Sequence, residues 1–133
     1  MITEDYVSYE IAKLLKEKGF DEPTVFRYGD YPGNNDLLFA PSGMAIVKNS
    51  ETQPYFYSAP TLQMAMKWLR KEHNLEIYPY HNSPDNRHNS GWWFEIIKYP
   101  NSVAEYESGI DEEVDTYEEA CEAAIKYCLE KLI

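Results

Sequence analysis

Residues 58–77 read SAPTLQMAMKWLRKEHNLEI, an amphipathic helix that ends at an asparagine and re-emerges as a strand. Leu62, Ala65, Met66 and Leu69 recur at i, i+3, i+4 and i+7, while Met64 and Trp68 widen the same apolar stripe. The helix is expected to start at Ser58 or Ala59, with Pro60 in its first turn, where a missing N–H costs nothing. Lys67, Arg70 and Lys71 gather towards the negative end of the helix dipole, and His73 falls in the last turn as a structural residue. Asn74 tolerates the left-handed conformation that stops a helix. Leu75 and Ile77 then alternate with Glu76 and Tyr78, the period of a strand.

Two further helices flank this segment. The first is expected over 3–18, capped by Thr3, with Glu4 and Asp5 at the positive end of the dipole. Val7, Ile11, Leu14 and Leu15 form its stripe; Gly19 ends it, and Phe20 is placed to fold back on the last turn. The last helix begins at Thr116, where Glu119 completes a Thr-x-x-Glu capping box. Its buried face is Tyr117, Ala120, Cys121, Ala124, Ile125, Cys128 and Leu132.

Between the helices the pattern is short and β-like. Strands are expected at 25–28, 37–40 and 44–48, the last two flanking a Pro41-Ser42-Gly43 hairpin turn, followed by a polar turn at 49–53 and Tyr55-Phe56-Tyr57. This reads as a meander. A polar loop over 81–91 leads to the strongest strand signal, 92–99, with Trp92, Phe94 and Ile96 on one side and Trp93, Ile97 and Tyr99 on the other. A strand apolar on both sides is expected at the centre of a sheet, covered on both faces. A short strand at 103–107 turns at Ser108-Gly109. The expected fold is one α+β domain, residues 1–133, with three main helices. Its antiparallel sheet has about five to six strands and is at least partly covered on both faces.

With 133 residues, 15% of them aromatic, the chain is long enough to bury a core and too aromatic for disorder. Its opening, Met1-Ile2-Thr3-Glu4-Asp5, lacks the basic and apolar regions of a secretory signal, and no apolar run approaches the ~18 residues of a membrane span. A soluble, cytoplasmic protein is expected. The net charge of −11 is unevenly placed: residues 1–100 carry 13 acids and 10 bases, whereas 101–133 carry 10 acids against Lys126 and Lys131 alone. Such a field repels nucleic acid and anionic membrane and favours a basic partner.

Motifs with built-in chemistry are missing. No glycine-rich phosphate loop, Gly-x-Ser-x-Gly elbow or His-Glu-x-x-His occurs. Cys121 and Cys128 lie ~10 Å apart along one helix, too far to bond, and fall on its apolar face as core residues. No cofactor and no metal are expected. Trp92, Trp93, Phe94, Tyr78 and Tyr80 would need a basic groove to stack single-stranded nucleic acid; only Lys98 lies in those strands, so they read as core. His81, Asp85, Arg87 and His88 bring two imidazoles, a carboxylate and a guanidinium into one loop. They support an alternative reading as a small enzyme or metal-binding protein, although their spacing matches no zinc pattern.

The segments at 4–23 (EDYVSYEIAKLLKEKGFDEP), 59–77 and 115–132 (DTYEEACEAAIKYCLEKL) together resemble an uncharacterised family of small proteins from Bacteroidetes genomes and their phages or integrated elements. More loosely, the C-terminal order of helix, strands and helix resembles the α-β-α sandwich domains of small phage proteins. The resemblance implies a provenance and a fold and transfers no catalytic or binding residue. It points to a phage- or mobile-element-type accessory protein, a non-enzymatic interaction module. Glu105, Glu107, Asp111, Glu112, Glu113, Asp115, Glu118, Glu119 and Glu122 are its expected contact surface for a basic host or phage protein. In one version the carboxylates imitate DNA phosphates and occupy a host nuclease or repressor.

Overall fold

Helix α1 (Tyr9–Glu17) starts from Ser8, whose hydroxyl accepts from the Ile11 N–H at 3.3 Å. The expected start at Thr3 is displaced because the preceding residues find β-type partners. Tyr6 bridges Thr61, the Val7 N–H donates to Pro60 O at 3.0 Å, and Leu62 N–H donates to Asp5 O at 2.9 Å. The far end behaves as expected: Gly19 takes φ +93°, and the Phe20 N–H reaches Leu15 O at 2.8 Å with its ring buried.

The computed structural model describes residues 1–30, 36–39, 46–82, 91–108 and 112–133. These fall into two compact units, Met1–Ala65 and Met66–Ile133, with the partition inside helix α2 (Leu62–His73). Among the described residues, three α-helices and six strands confirm the α+β class. The strands, however, form two antiparallel sheets of three, where one sheet of five to six was expected.

In the first unit, β1 (Phe26–Gly29) lies between β2 (Leu37–Phe39) and β3 (Phe56–Ser58). This order, β2-β1-β3, replaces the expected meander. Long-range bonds hold the return of the chain to β1. Buried Asn49 donates to Phe20 O at 2.8 Å and accepts from Ser58 N–H at 2.9 Å, and Thr24 bridges Val47. The described part of the expected 44–48 strand is that single bridge. The Pro41-Ser42-Gly43 turn and residues 31–35 lie outside the described residues. Val7, Ile11, Ala12, Leu15, Phe20, Ala59, Leu62 and Ala65 form the buried apolar set of this unit.

Helix α2 begins at Leu62, three or four residues later than expected. The Thr61 hydroxyl accepts from Met64 N–H at 3.1 Å and so caps the helix, while Ser58 is already paired with Arg27 across the β1–β3 ladder. Asn74 ends α2 at φ 57°. In the second unit, β4 (Leu75–Asn82), β5 (Gly91–Lys98) and β6 (Val103–Glu107) pair in that order, so β5 is central as expected. Pro79 is tolerated inside β4 because that strand is at the sheet edge. Helix α3 (Tyr117–Tyr127), capped by Thr116, continues as a π-helical turn over Cys128–Leu132 and packs on β4 and β5.

Leu75, Ile77, Phe94 and Ile96 are buried, as are Ala120, Cys121, Ala124, Ile125, Cys128 and Leu129. Removing an Ile or Phe side chain of this kind from water stabilises the fold by about 1.5–3 kcal/mol. Both thiols belong to this core, and burial pushes Cys121 up to about 11 and Cys128 to about 12. Among the described residues no helix is long and apolar enough to cross a membrane.

Candidate functional site

Strand alternation divides the second sheet into unlike faces. Ile77 pairs with Ile96 and Pro79 with Phe94 on the face that carries the buried apolar residues. Trp92 belongs to that face too, its ring edge-on to Tyr117 of α3 at 5.5 Å. The reverse face carries Glu76, Tyr78, Tyr80 and Asn82 from β4 with Trp93, Glu95 and Ile97 from β5. These side chains are half-buried, and Tyr78 is 43% exposed. Trp93 and Tyr80 were expected in the interior. They reach the surface because indole N–H and phenol O–H groups need polar partners, and a half-exposed face supplies them.

Those partners are carboxylates. Tyr80 Oη donates to Glu107 Oε1 at 2.8 Å. Trp93 Nε1 donates to Glu113 Oε1 at 2.6 Å, and Asn82 Nδ2 donates to the same oxygen at 3.3 Å. Tyr106 Oη donates to Glu112 Oε2. Burial, then the bond to Glu107, pushes the Tyr80 phenol up to about 12, with further repulsion from the charges of Glu107 and Glu95. For Tyr106 the bond to Glu112 is the leading cause of a rise to about 12. In both cases the neutral phenol is the donor and the carboxylate oxygen the acceptor, so the bond fixes the carboxylate's position.

The β5–β6 ladder sets Glu95 directly opposite Glu107, with Tyr78 opposite Glu95 on the other side. Like charges facing across a ladder are destabilising. The register then slips between Ile96 and Ile97, passing over exposed Glu105. Arg70 Nε approaches Glu76 Oε2 at 3.4 Å at the end of the face where α2 gives way to β4.

The remaining acids of the expected array do other things. Glu119 N–H donates to Thr116 Oγ1 at 3.1 Å, while the Glu119 carboxylate accepts from Asp115 N–H at 3.3 Å, one residue earlier than a reciprocal capping box requires. Glu118 is exposed and Glu122 half-buried on α3; Asp111 lies outside the described residues. The structure thus brings Glu107 and Glu113 onto the aromatic sheet face and ties Glu112 to Tyr106.

Of the alternative loop, only His81 is described; Asp85, Arg87 and His88 lie outside the described residues. The His81 ring stands edge-on to Trp92 at 5.2 Å, its cross-strand partner. His73 is half-buried with its ring against Trp68 at 4.8 Å. Among the described residues, no three His, Cys, Asp or Glu side chains converge in a way that would hold a metal ion.

Sequence reasoning missed Glu76, Glu95 and the donor roles of Tyr80, Trp93 and Tyr106. The available signal was the alternation of aromatic and acidic residues in 76–80, 93–95 and 105–107, which becomes meaningful only once the three strands are in register. Compared with protein-family models, curated proteins and solved structures, the chain matches none.

Proposed function

We propose that the protein is a non-enzymatic interaction module, an accessory protein of phage or mobile-element type, whose acidic C-terminal third engages a basic partner. One observation carries this reading: Glu95 and Glu107 face each other across the ladder on a half-exposed aromatic face. A Lys or Arg side chain placed there relieves the repulsion, and its cation also gains from the rings of Tyr78 and Tyr80. Glu113, held by Trp93 and Asn82, extends the same face. Exposed Glu105 and Glu118 add to the field that steers a basic surface inward.

The reading is tested by capture from a host lysate on the immobilised intact chain, with the same capture on Glu95→Gln/Glu107→Gln. A basic protein retained by the first, released by added salt and weakened on the double variant, is the expected outcome. Retention of no basic protein, or retention indifferent to the double variant, rejects it.

A further inference from the structure

A cleft of about 230 Å³ opens in the C-terminal unit on the α3 side of the sheet, the face opposite Glu95 and Glu107. Phe94, only 5% exposed, lies in its lining. The rings of Tyr106 and Tyr127 stack at 3.9 Å with 22° between their planes, and the small Ala123 leaves room beside them. Glu130 and Lys131, three and four residues after Tyr127, follow Ala123 and Tyr127 on one helical face and line the cleft with them.

The charges at this cleft are unlike those around it. Residues 101–133 carry ten acids and two bases, and both bases, Lys126 and Lys131, line this cleft. They are matched by Glu112 and Glu130, so the rim is neutral within a strongly acidic stretch. Lys126 Nζ and Glu130 Oε1 approach to 3.8 Å with side chains 43% and 36% exposed, a screened pair that a ligand can replace. A simple anion meets Glu112 and Glu130, and a simple cation meets the two lysines. A ligand carrying both charges around a ring fits every part of the lining. The cleft is small beside the ~300–1,000 Å³ of sites for drug-sized molecules, which limits the occupant to about the size of one residue.

We infer that this cleft binds a free α-amino acid with an aromatic side chain. The ring lies against Phe94 and the Tyr106–Tyr127 pair, the ammonium faces Glu112, and the carboxylate faces Lys126 and Lys131. The inference stands apart from the basic-partner reading, because the two use opposite faces of the sheet.

The test is titration of L-phenylalanine into the intact chain, followed by amide chemical shifts. Saturable binding with a Kd of ~1 mM or tighter is expected, with the largest shifts at Tyr106, Ala123 and Tyr127. N-acetyl-L-phenylalanine lacks the ammonium, L-phenylalaninamide lacks the carboxylate, and glycine lacks the ring; each binds about tenfold more weakly or less. Ala123→Leu fills the hollow from a half-exposed position and abolishes binding while distant resonances stay in place. Lys131→Met, at an exposed position, weakens binding severalfold with the fold intact. The inference is overturned by absence of saturation at ~10 mM L-phenylalanine. Equal binding of either blocked analogue, or unchanged binding to Ala123→Leu, overturns it as well.

Discussion

The indole N–H of Trp93 donates to Glu113 at 2.6 Å, joining the central strand of the second sheet to the segment that leads into α3. Gly91 makes the approach feasible. A Cβ built there stands 2.8 Å from Glu113 Oε2 and 3.1 Å from Glu113 Cβ, so any side chain displaces the carboxylate. Gly91→Ala is therefore expected to lower stability by about 1–3 kcal/mol, because a half-buried donor loses its charged acceptor. The change is read as a lower urea midpoint and as red-shifted Trp93 emission against a Trp93→Phe reference. Glu113→Gln keeps an acceptor oxygen and is expected to cost less than Gly91→Ala. An unchanged midpoint for Gly91→Ala would show that the contact contributes nothing.

Alkaline stability follows from the phenol–carboxylate bonds. Tyr80 and Tyr106 ionise at about 12 in the folded chain, against ~10 when unfolded. A raised folded pKa means that the folded state favours the protonated phenol. The stabilisation is complete below pH ~10 and is lost as pH climbs through about 12. Unfolding midpoints should fall across that window, and Tyr80→Phe/Tyr106→Phe should fall less steeply. Phenolate absorbance should show a late-titrating component that shrinks in Tyr80→Phe/Tyr106→Phe, and a single titration near the ordinary value for all twelve tyrosines would contradict the assignment.

Ser58 is 1% exposed, and among the described residues its hydroxyl has no hydrogen-bond partner. Its N–H, by contrast, is bound to Asn49 Oδ1 at 2.9 Å. Ser58→Ala removes the unsatisfied hydroxyl and retains the backbone bond, so stability should be unchanged or rise by up to ~1 kcal/mol. Asn49→Ala, in the same unit, removes the bonds to both Phe20 O and Ser58 N–H and should cost at least ~2 kcal/mol. Chemical denaturation of both variants measures the contrast, and a destabilised Ser58→Ala would reveal a partner for the hydroxyl.

What could be read from the chain were features decided within a few residues of themselves. Asn74 ends α2, Gly19 ends α1 with Phe20 folded back, Thr116 caps α3, and most of each apolar stripe is buried, although Met64 is exposed and Leu14, Tyr117 and Leu132 are only half-buried. The helix starts were misplaced where competing caps stood close together. Thr3 and Ser58 have the right chemistry, but Tyr6 bridges Thr61 and Ser58 pairs with Arg27, so Ser8 and Thr61 become the caps. The acidic C-terminal third was visible as a charge imbalance, yet nothing local distinguishes Glu107, which accepts from a tyrosine two strands away, from Glu118, equally exposed on α3.

Local propensity and apolar periodicity determined the helices, the central strand and the burial of both cysteines, since each depends on contacts a few residues apart along one element. Strand order and register belong to the tertiary structure. The division into two sheets of three, the confrontation of Glu95 with Glu107 and the neutral cleft beside Ala123 all come from residues distant in the chain. Pairing of that kind is settled by loop closure and by the competition among many possible partners, and neither is encoded at any single position.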